Sequence, residues 1–580
     1  MGKRILSLLL CLLMFGACLV GCNKDKDVEG EITNEASKKT ETIAMHLMSE
    51  KEVSDAQAAA IQNAVNKITK SKFKTQLILH FYTEDEYYVA LEQAYADKQN
   101  AGNTNQNNSN AAKDEEGSET AEETIVNEYG VTELKYPSIP DYQVDIFYLG
   151  GYEKLMEYIE KDMVMELTDE VSSASKKLKT FMTPGYLEGM DVLTQGIFAI
   201  PANEPVGEYT YMLLNKDIIT KYHHVAGDFT SLLDKKTAWL LDVVKNNEPD
   251  YVPLRSFTPS GELDIANVGY FGIGDDGFFN NTEFSLLGGS YENNWQYLVE
   301  GQYVPCNNIF NSSVFTSQVR TLVDYRAKGY YGTSADANKD FAVGYIKGGI
   351  ELIDEYSDKY EVIVVDTPKI NSMDLFNHMF AVSSFSRSDA RSMEIITYLY
   401  TNADFRNLLL YGIEGTNYEL VESEMKDSND EPYMVVKRLN EDYMMAPEKT
   451  GNVLLAIPTV DQAPNLRELY TKQNLDSSIS LTMGFSHNYD QLQLSEEHVN
   501  HLREQSKIAL EEIMNLESAA AFDAYVAAKK VAIREDAVLN AAMSPNKIEN
   551  PVDPELDPYE TLTSLYNAWL TANKLVPKID

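Results

Sequence analysis

Few residues of this 580-residue chain are cysteine, and that shortage excludes a disulfide-stabilised scaffold. Of the four cysteines, Cys11, Cys18 and Cys22 lie close to the N-terminus, which leaves Cys306 alone in the remainder. An intramolecular disulfide requires two cysteines in the same folded region, so none is expected. Histidine is also scarce, with eight residues, and the sequence does not predict a transition-metal receptor.

Positive charge is short as well, since 49 lysine and arginine residues stand against 90 aspartate and glutamate residues. The resulting net charge of −41 at pH 7 repels both a phosphate backbone and an anionic bilayer. We therefore exclude nucleic acid as a partner, and we expect contact with a membrane only through an attached lipid.

Motifs of catalysis and cofactor binding are missing. None of the patterns G-x-S-x-G, H-E-x-x-H and G-x-x-x-x-G-K-[ST] occurs. Residues 272–277 match G-x-G-x-x-G, but two aspartates inside the match would face a pyrophosphate, so a glycine-rich turn is the better interpretation. Residues 336–340 have the first spacings of a calcium loop, but Phe341 replaces the turn glycine and Lys347 the bidentate glutamate. We predict that the protein binds no cofactor and no metal and that it is not an enzyme.

The N-terminus has the three-part form of a secretory signal. Lys3 and Arg4 precede sixteen largely apolar residues, a shorter run than the roughly 20 that a transmembrane helix needs. Leu-Val-Gly-Cys at 19–22 resembles the lipobox of bacterial lipoproteins, in which the cysteine thiol receives a diacylglyceryl group. We predict a signal peptide over residues 1–21 and lipidation of Cys22, with palmitate among the acyl chains, at the extracellular face of the cell membrane.

Two further segments lack the apolar residues that a folded core requires. Residues 22–41 are rich in Lys, Asp, Glu, Ser and Gly, so we predict a flexible tether. Residues 99–124 are dominated by Asn, Ala, Glu, Gly, Ser and Thr, and we predict a disordered surface insertion there. About 540 residues remain after the tether, which exceeds the size of one core and predicts two domains.

Strands and helices alternate through the first part of the folded chain. Apolar runs at 42–48, 75–82 and 143–149 predict strands, and each is followed by a stretch whose apolar residues recur at helical spacing. Ser54 and Gln57, at the start of the first such stretch, have the spacing of a helix-capping box. This alternation predicts a parallel sheet with helices on both faces, and ligands at the carboxyl ends of its strands.

A longer pattern occurs later in the chain. Residues 407–418 read N-L-L-L-Y-G-I-E-G-T-N-Y, and this string resembles extracellular solute-binding protein family 1, in its large Gram-positive lipoprotein branch. Shorter matching stretches occur in the expected order at 145–152, 199–201, 214–216, 341–343, 347–349, 451–452 and 473–476. The resemblance covers nearly the whole chain after Thr42.

The resemblance implies an α/β fold of the periplasmic-binding-protein type (type II), in which two hinge-connected lobes enclose a ligand cleft. Crossing segments between the lobes are expected near Pro201, near 368–372 and near 444–451, so each lobe is discontinuous in sequence. Lobe 1 is expected to comprise residues 42–200 and 372–445, and lobe 2 residues 201–371 and 446–580.

The resemblance also implies which residues meet the ligand. The candidates are Glu50, Tyr148, Glu208, Tyr209, Trp295 and Glu351. Two end predicted strands of lobe 1, two lie where the chain enters lobe 2, and two are placed on ligand-facing positions of lobe 2. Carboxylates accept paired hydroxyl hydrogen bonds and aromatic faces cover the C–H surface of a sugar ring, although tyrosine and tryptophan also suit ordinary half-buried positions.

Members of this family are receptors for ATP-driven importers, mostly of sugars and oligosaccharides. The resemblance therefore implies a monomeric receptor that binds a carbohydrate by hinge closure and delivers it to the permease subunits of an ABC transporter. A second hypothesis remains open, a surface-anchored hydrolase that acts on glycans. Such an enzyme needs a pair of catalytic carboxylates, and with 90 acidic residues the sequence cannot show which two, if any, form such a pair.

Overall fold

The structure is a computed structural model, and it describes a defined set of residues. These are 39–106, 124–126, 132–191, 196–257, 270–273, 279–280, 284–290, 307–332, 336, 338–370, 372–479, 495–544, 546–550, 558 and 560–572. Cys22 and Trp295 therefore lie outside the described residues.

Helices and strands alternate through most of the described chain. The strands are β1 (Glu41–Ser49), β2 (Thr75–Thr83), β3 (Thr124–Val126), β4 (Thr132–Leu134), β5 (Ile146–Leu149), β6 (Ala199–Pro201), β7 (Tyr209–Asn215), β8 (Tyr251–Ser256), β9 (Tyr270–Ile273), β10 (Phe279–Asn280), β11 (Leu287–Ser290), β12 (Asn307–Asn308), β13 (Asp340–Gly348), β14 (Tyr360–Asp366), β15 (Lys369–Ile370), β16 (Met379–Val382), β17 (Tyr418–Lys426), β18 (Pro432–Arg438) and β19 (Ser478–Ile479). The helices are α1 (Asp55–Phe73), α2 (Glu84–Gln106), α3 (Tyr152–Glu160), α4 (Thr168–Phe181), α5 (Lys216–Lys221), α6 (Lys235–Asn247), α7 (Ser313–Ala327), α8 (Leu352–Tyr356), α9 (Ser372–Leu375), α10 (Asp389–Thr401), α11 (Ala403–Tyr411), α12 (Leu466–Asp476), α13 (Ser495–Met514), α14 (Ala519–Glu535), α15 (Ala537–Ala542) and α16 (Leu562–Ala572).

The first lobe is built on a five-stranded sheet with the strand order β2-β1-β5-β16-β6. Strand β1 pairs in parallel with β2 and β5, as the alternation predicted. Strand β16 pairs antiparallel with β5 and β6, so the expectation of a wholly parallel sheet is wrong. The reason is that β16 enters the sheet from a segment that crosses between lobes, and an antiparallel neighbour needs no helical crossover.

Local sequence explains the first elements of this sheet. Strand β1 is buried along almost its whole length, in agreement with its continuous apolar run. The Ser54 side chain accepts a hydrogen bond from the Gln57 backbone N–H at 3.3 Å and caps the N-terminus of α1. Ile61 and Val65 of that helix are fully buried against the sheet. The predicted strand–helix–strand start of the lobe is confirmed.

The stretch 99–124, predicted to be a disordered surface insertion, contains the end of a helix, and a strand begins at its last residue. Helix α2 continues to Gln106, so its last turns occupy residues 99–106, where disorder was expected. Strand β3 starts at Thr124 and pairs antiparallel with β4. Local composition failed here because the preceding helix already supplies the costly first turns, so even a stretch rich in asparagine can extend it by two more turns. Residues 107–123 lie outside the described residues.

The second lobe is built on a four-stranded sheet with the strand order β14-β7-β13-β8. Strand β13 pairs antiparallel with β7 and parallel with β8. One hydrophobic core lies on the side that holds Met212 and Leu214, and a smaller one on the side that holds Tyr211 and Leu213. The C-terminal helices α13 to α16 add their buried side chains to the larger of these cores. The α/β fold with two lobes is confirmed.

Three segments connect the lobes. Residues 202–208 join β6 to β7, and residues 367–378 lead from β14 back to β16. The third connection was expected near 444–451, with lobe 2 beginning at 446. The structure corrects this boundary, because residues 446–457 pack on the first lobe.

The contacts of this third segment are with the first-lobe core. Asn452 donates to the Tyr400 carbonyl at 2.9 Å, and Asn407 donates to the Leu455 carbonyl at 3.0 Å. The chain leaves the first lobe only after Thr459, which bridges to β18, and enters α12. No helix in the described part of the chain is long and apolar enough to span a bilayer.

Candidate functional site

The candidate site is a cleft where strand ends of both lobes meet the crossing segments. In the first lobe, β1 ends at Ser49 and β5 ends at Leu149, which brings the carboxyl ends of parallel strands to one edge. In the second lobe, β7 begins at Tyr209 opposite the end of β13 at Gly348. Polar side chains that follow or precede these strands therefore surround the crossing segments.

Glu50 follows the last residue of β1 and forms an ion pair. Its Oε1 lies 2.9 Å from Nζ of Lys449, whose side chain is only 13% exposed. The Glu50 backbone N–H donates to the Met444 carbonyl at 3.0 Å. Glu50 is thus paired with a lysine from residues 446–457, and its role as a site residue stays a prediction.

Tyr148 lies on β5 and is 4% exposed. The hydroxyl of Tyr87 bridges its backbone, since it donates to the Tyr148 carbonyl at 3.0 Å and accepts from the Tyr148 N–H at 2.7 Å. Burial raises the pKa of the Tyr148 phenol, and the nearby Glu448 and Glu204 carboxylates raise it further. Tyr148 is therefore packed in the lobe, with its phenol close to carboxylates of the cleft.

The first crossing segment carries a carboxylate of its own. Oε1 of Glu204 lies 2.9 Å from Nδ1 of His378, which directly precedes β16. The His378 ring stacks on Tyr148 with ring centroids 6.2 Å apart. Two crossing segments and a first-lobe strand thus meet at this point.

The second lobe contributes two stacked tyrosines at the start of β7. The rings of Tyr209 and Tyr211 lie 5.4 Å apart, and both side chains are at most 1% exposed. Tyr209 donates from its hydroxyl to Asp476 at 2.8 Å, and Tyr211 donates to the Gly349 carbonyl at 3.0 Å. Tyr209 therefore supports the cleft wall and does not present its ring to solvent.

Glu351 is exposed and lies at the start of α8, just after the end of β13. The Glu351 carboxylate lies over Gly349, where a Cβ atom would overlap it unless the exposed side chain moved. Burial raises the pKa of the Tyr470 phenol, and the negative charges of Glu351 and Glu448 raise it further. Glu351 belongs to the second lobe and Glu448 to the first, so the charges that raise the pKa of Tyr470 come from both lobes.

Glu208 is exposed at the end of the first crossing segment, directly before β7. The preceding Gly207 has a φ of +68°, and a Cβ there would lie 2.8 Å from the Lys369 carbonyl oxygen. Glycine is thus required where the first two crossing segments approach each other closely.

The structure describes five of the six predicted site residues. Glu50, Glu208 and Glu351 are exposed carboxylates around the cleft, whereas the two tyrosines of the set, Tyr148 and Tyr209, are buried in its walls. Trp295 cannot be placed, since it lies outside the described residues. The assignment of the set to a ligand stays a prediction.

Four residues of this region escaped the sequence analysis: Glu204, His378, Glu448 and Tyr470. Glu204 lies close to Pro201, and His378 directly precedes β16. Both lie in crossing segments that the sequence analysis expected, so their positions could have marked them as candidates. Glu448 lies in residues 446–457, which had been placed in the wrong lobe, and Tyr470 lies in α12, which follows them.

The charge of the cleft is predominantly negative. Within the described residues, Glu208, Glu351 and Glu448 have no lysine, arginine or histidine nitrogen within 4 Å. The nearby cations pair with other carboxylates, Lys449 with Glu50 and Lys472 with Asp476. The described residues contain no group of three or more His, Cys, Asp or Glu side chains that could hold a metal ion.

No protein-family model matches the chain. A curated relative does, the "Carbohydrate ABC transporter substrate-binding protein" of Streptococcus pneumoniae serotype 4, with 24% identity over 282 residues. The resemblance to solute-binding proteins is confirmed. The match covers 45% of this chain and 52% of the relative, so the chain spans about half the length of the curated relative that it matches.

Solved structures of solute-binding proteins are also similar. The N-glycan transport solute binding protein NgtS of Streptococcus pneumoniae has a TM-score of 0.48 and 17% identity, with 84% of this chain and all of that chain covered. An extracellular solute-binding protein of Bifidobacterium longum subsp. infantis has a TM-score of 0.44 and 12% identity, with 93% and 99% covered. Both TM-scores are below 0.5.

Proposed function

We propose that this chain is the extracellular receptor of an ABC importer and that it binds an uncharged sugar or oligosaccharide by closing its two lobes. One observation carries the proposal: Glu351 of the second lobe and Glu448 of the first lobe are carboxylates with no lysine, arginine or histidine nitrogen within 4 Å among the described residues. A ligand between them would meet hydrogen-bond acceptors from both lobes. The similarity to a curated carbohydrate transporter protein supports the same function.

The carboxylates of the cleft favour hydroxyl donors. Ionised Glu208, Glu351 and Glu448 only accept hydrogen bonds, and pairs of sugar hydroxyls satisfy such acceptors. A uronic or sialic acid would bring a further negative charge into a cleft where the nearby lysines already have carboxylate partners. An uncharged carbohydrate therefore fits this region better than an anionic one.

A thermal-shift panel tests the ligand class, because a ligand that binds only the folded state stabilises it by about 2.7 kcal/mol at 100 times its dissociation constant. Uncharged oligosaccharides of several linkages should raise the melting temperature, and oligouronates at the same concentration should not. If no carbohydrate of the panel raises it, the receptor proposal fails. Release of shorter sugars from the panel would instead favour the hydrolase hypothesis.

The lipid anchor is part of the proposal. A diacylglyceryl group on Cys22 supplies two acyl chains, enough for stable membrane attachment of an acidic chain that a bilayer would otherwise repel. The Cys22→Ala variant should therefore appear in the soluble fraction or accumulate unprocessed. Tight membrane association of this variant would contradict the lipidation. The permease subunits are the proposed partner, and the receptor is proposed to act as a monomer.

A further inference from the structure

A network of five buried, uncharged side chains lies where the crossing segments meet; hydrogen bonds link four of them into a chain, and Gln473 adjoins it as the sequence neighbour of Asn474 in α12. Its members are 0–8% exposed, and we call them the amide network: Asn452, Asn203, Thr183, Asn474 and Gln473. Buried amides that satisfy both their donors and acceptors hold their partners in one geometry, because any rotation leaves a polar atom without a partner. The network is therefore a candidate for setting how the lobes are joined.

The first-lobe end of the network is anchored on backbone groups. Asn203 accepts at Oδ1 from the backbone N–H and the hydroxyl of Thr183, at 2.9 and 2.8 Å. Its amide donates to the Phe181 carbonyl at 2.7 Å and to Oδ1 of Asn452 at 3.0 Å. Asn452 donates in turn to the Tyr400 carbonyl at 2.9 Å. These bonds attach the start of the first crossing segment to α4 and α10.

Asn474 of α12 joins the first lobe to the middle of the crossing segment. Its amide donates to the Thr183 hydroxyl oxygen at 2.9 Å and to the Glu204 carbonyl at 3.1 Å. Its Oδ1 accepts from the Val206 N–H at 3.4 Å. All of its partners lie in the first lobe or in residues 202–208.

Gln473, the preceding residue of α12, reaches the other lobe. Its Oε1 accepts from the Ile350 N–H at 3.0 Å, and its amide donates to the Gly207 carbonyl at 2.9 Å. Ile350 is part of the second-lobe core and directly precedes Glu351. Consecutive residues of a helix point about 100° apart, which is why one helix can contact both lobes with neighbouring side chains.

We propose that Gln473 and Asn474 are positioning residues that hold the Ile350–Glu351 turn of the second lobe at a set orientation to the first lobe. Asn474 attaches α12 to the first lobe, and Gln473 attaches the same helix to the turn that carries a cleft carboxylate. Neither residue needs to touch a ligand. The inference goes beyond the proposed function and does not depend on what the cleft binds.

Amide hydrogen exchange of the full chain without ligand tests whether Gln473 holds the second-lobe turn and Asn474 holds the first-lobe side. In Gln473→Met, which removes both hydrogen bonds at similar volume, exchange over residues 349–356 should accelerate at least tenfold while Val206 stays protected. In Asn474→Leu the pattern should reverse, with faster exchange at 202–208 and little change at 349–356. Each variant thus releases one side of α12.

Two exposed amides provide matched controls, since their side-chain hydrogen bonds within the described residues are local. Gln462 accepts only from the Thr459 N–H, and Asn515 donates only to the Glu511 carbonyl. Gln462→Met and Asn515→Leu should leave exchange in both test segments at wild-type rates.

A conservative variant separates positioning from packing. Gln473→Glu at pH 5 should restore slow exchange over 349–356, because burial keeps the carboxyl protonated, and a protonated carboxyl donates to Gly207 while it accepts from Ile350. The proposal is overturned if Gln473→Met leaves the two segments unchanged. It is equally overturned if exchange rises uniformly across both lobes, or if Gln473→Glu behaves like Gln473→Met at pH 5. A ligand panel without any binder would leave these results intact.

Discussion

The cleft faces of the two lobes differ in whether their polar side chains already have partners within the protein. In the first lobe, Glu50 pairs with Lys449 at 2.9 Å and Tyr148 is 4% exposed. In the second lobe, Glu351 is exposed, and no cation within the described residues lies within 4 Å of it. The first lobe presents a paired carboxylate beside the unpaired Glu448, whereas the exposed Glu351 of the second lobe is unpaired among the described residues.

This difference follows from how each lobe reaches the cleft. The first lobe brings the ends of buried parallel strands, whose side chains pack among helices on both faces. The second lobe brings a turn after β13, where Gly349 leaves room for the Glu351 carboxylate. We therefore expect first-lobe substitutions to change mainly folding stability and second-lobe substitutions to change mainly ligand affinity.

The largest effect is expected for Tyr148→Ala. Removing a buried aromatic ring leaves a cavity and should lower the free energy of unfolding by about 3–5 kcal/mol. Urea denaturation followed by circular dichroism measures this loss. Tyr148→Phe keeps the ring and should retain nearly all of the stability. If Tyr148→Ala unfolds at the wild-type urea midpoint, the ring is not part of the first-lobe core.

A histidine of the first lobe should produce a large pH effect. Burial, and then the neighbouring His80, lowers the pKa of His46 from 6.5 to about 3. Below pH 6.5 the unfolded chain therefore binds a proton that the folded chain does not, and the free energy of unfolding should fall by about 1.4 kcal/mol per pH unit toward pH 3 from this group alone. Above pH 6.5 its contribution is complete.

Urea titrations between pH 7 and pH 4 compare His46→Leu with the wild type, and the variant should lose less stability as the pH falls. Val65→Ala, a first-lobe core change without a titratable group, should instead lower stability by the same amount at every pH. If the free energy of unfolding falls equally with pH for the wild type and for His46→Leu, the pKa of His46 is not lowered in the folded state.

In the second lobe, Glu351→Gln should weaken binding of the uncharged sugar found by the panel about tenfold, or about 1.4 kcal/mol, because a charged acceptor becomes a neutral one. The melting temperature without ligand should stay at the wild-type value, since Glu351 is exposed. Isothermal titration calorimetry measures the affinity. Glu355→Gln, a change at an exposed position of α8, is the control and should bind normally. Equal affinities of the two variants would remove Glu351 from the site.

The smallest effect is expected for Lys449→Met, which breaks the ion pair with Glu50. The Glu50 side chain is 41% exposed and stays solvated, so the loss of stability should be at most about 1 kcal/mol. The freed carboxylate would make the first lobe resemble the second, and affinity for an uncharged sugar should not fall. A fall of tenfold or more would mean that Lys449 itself contacts the ligand.

The sequence predicted elements well where a local pattern controls them. The apolar run of β1 and the Ser54 cap of α1 both appear as expected. The helical end of α2 at 99–106 and the antiparallel β16 were missed, because one depends on a preceding helix and the other on a strand that returns from another lobe. Composition alone carries neither piece of information.

The candidate site was predicted less completely. Glu50, Glu208 and Glu351 lie around the cleft, but the sequence could not separate an exposed tyrosine from a buried one, and Tyr148 proved to be packed. Glu448 went unnoticed because its segment was assigned to the other lobe. Tyrosine suits both environments, so only its neighbours decide which one it occupies.

By itself, the sequence determined the alternation of strands and helices, the negative charge and the resemblance to solute-binding proteins, since these depend on composition and on patterns within short stretches. Only the tertiary structure decided which charges are paired and which have no cationic partner among the described residues. Glu50 and Lys449 are 399 positions apart, and Glu351 and Glu448 come from different lobes. No local periodicity encodes such pairs, because they form only when the folded lobes and their crossing segments bring distant residues together.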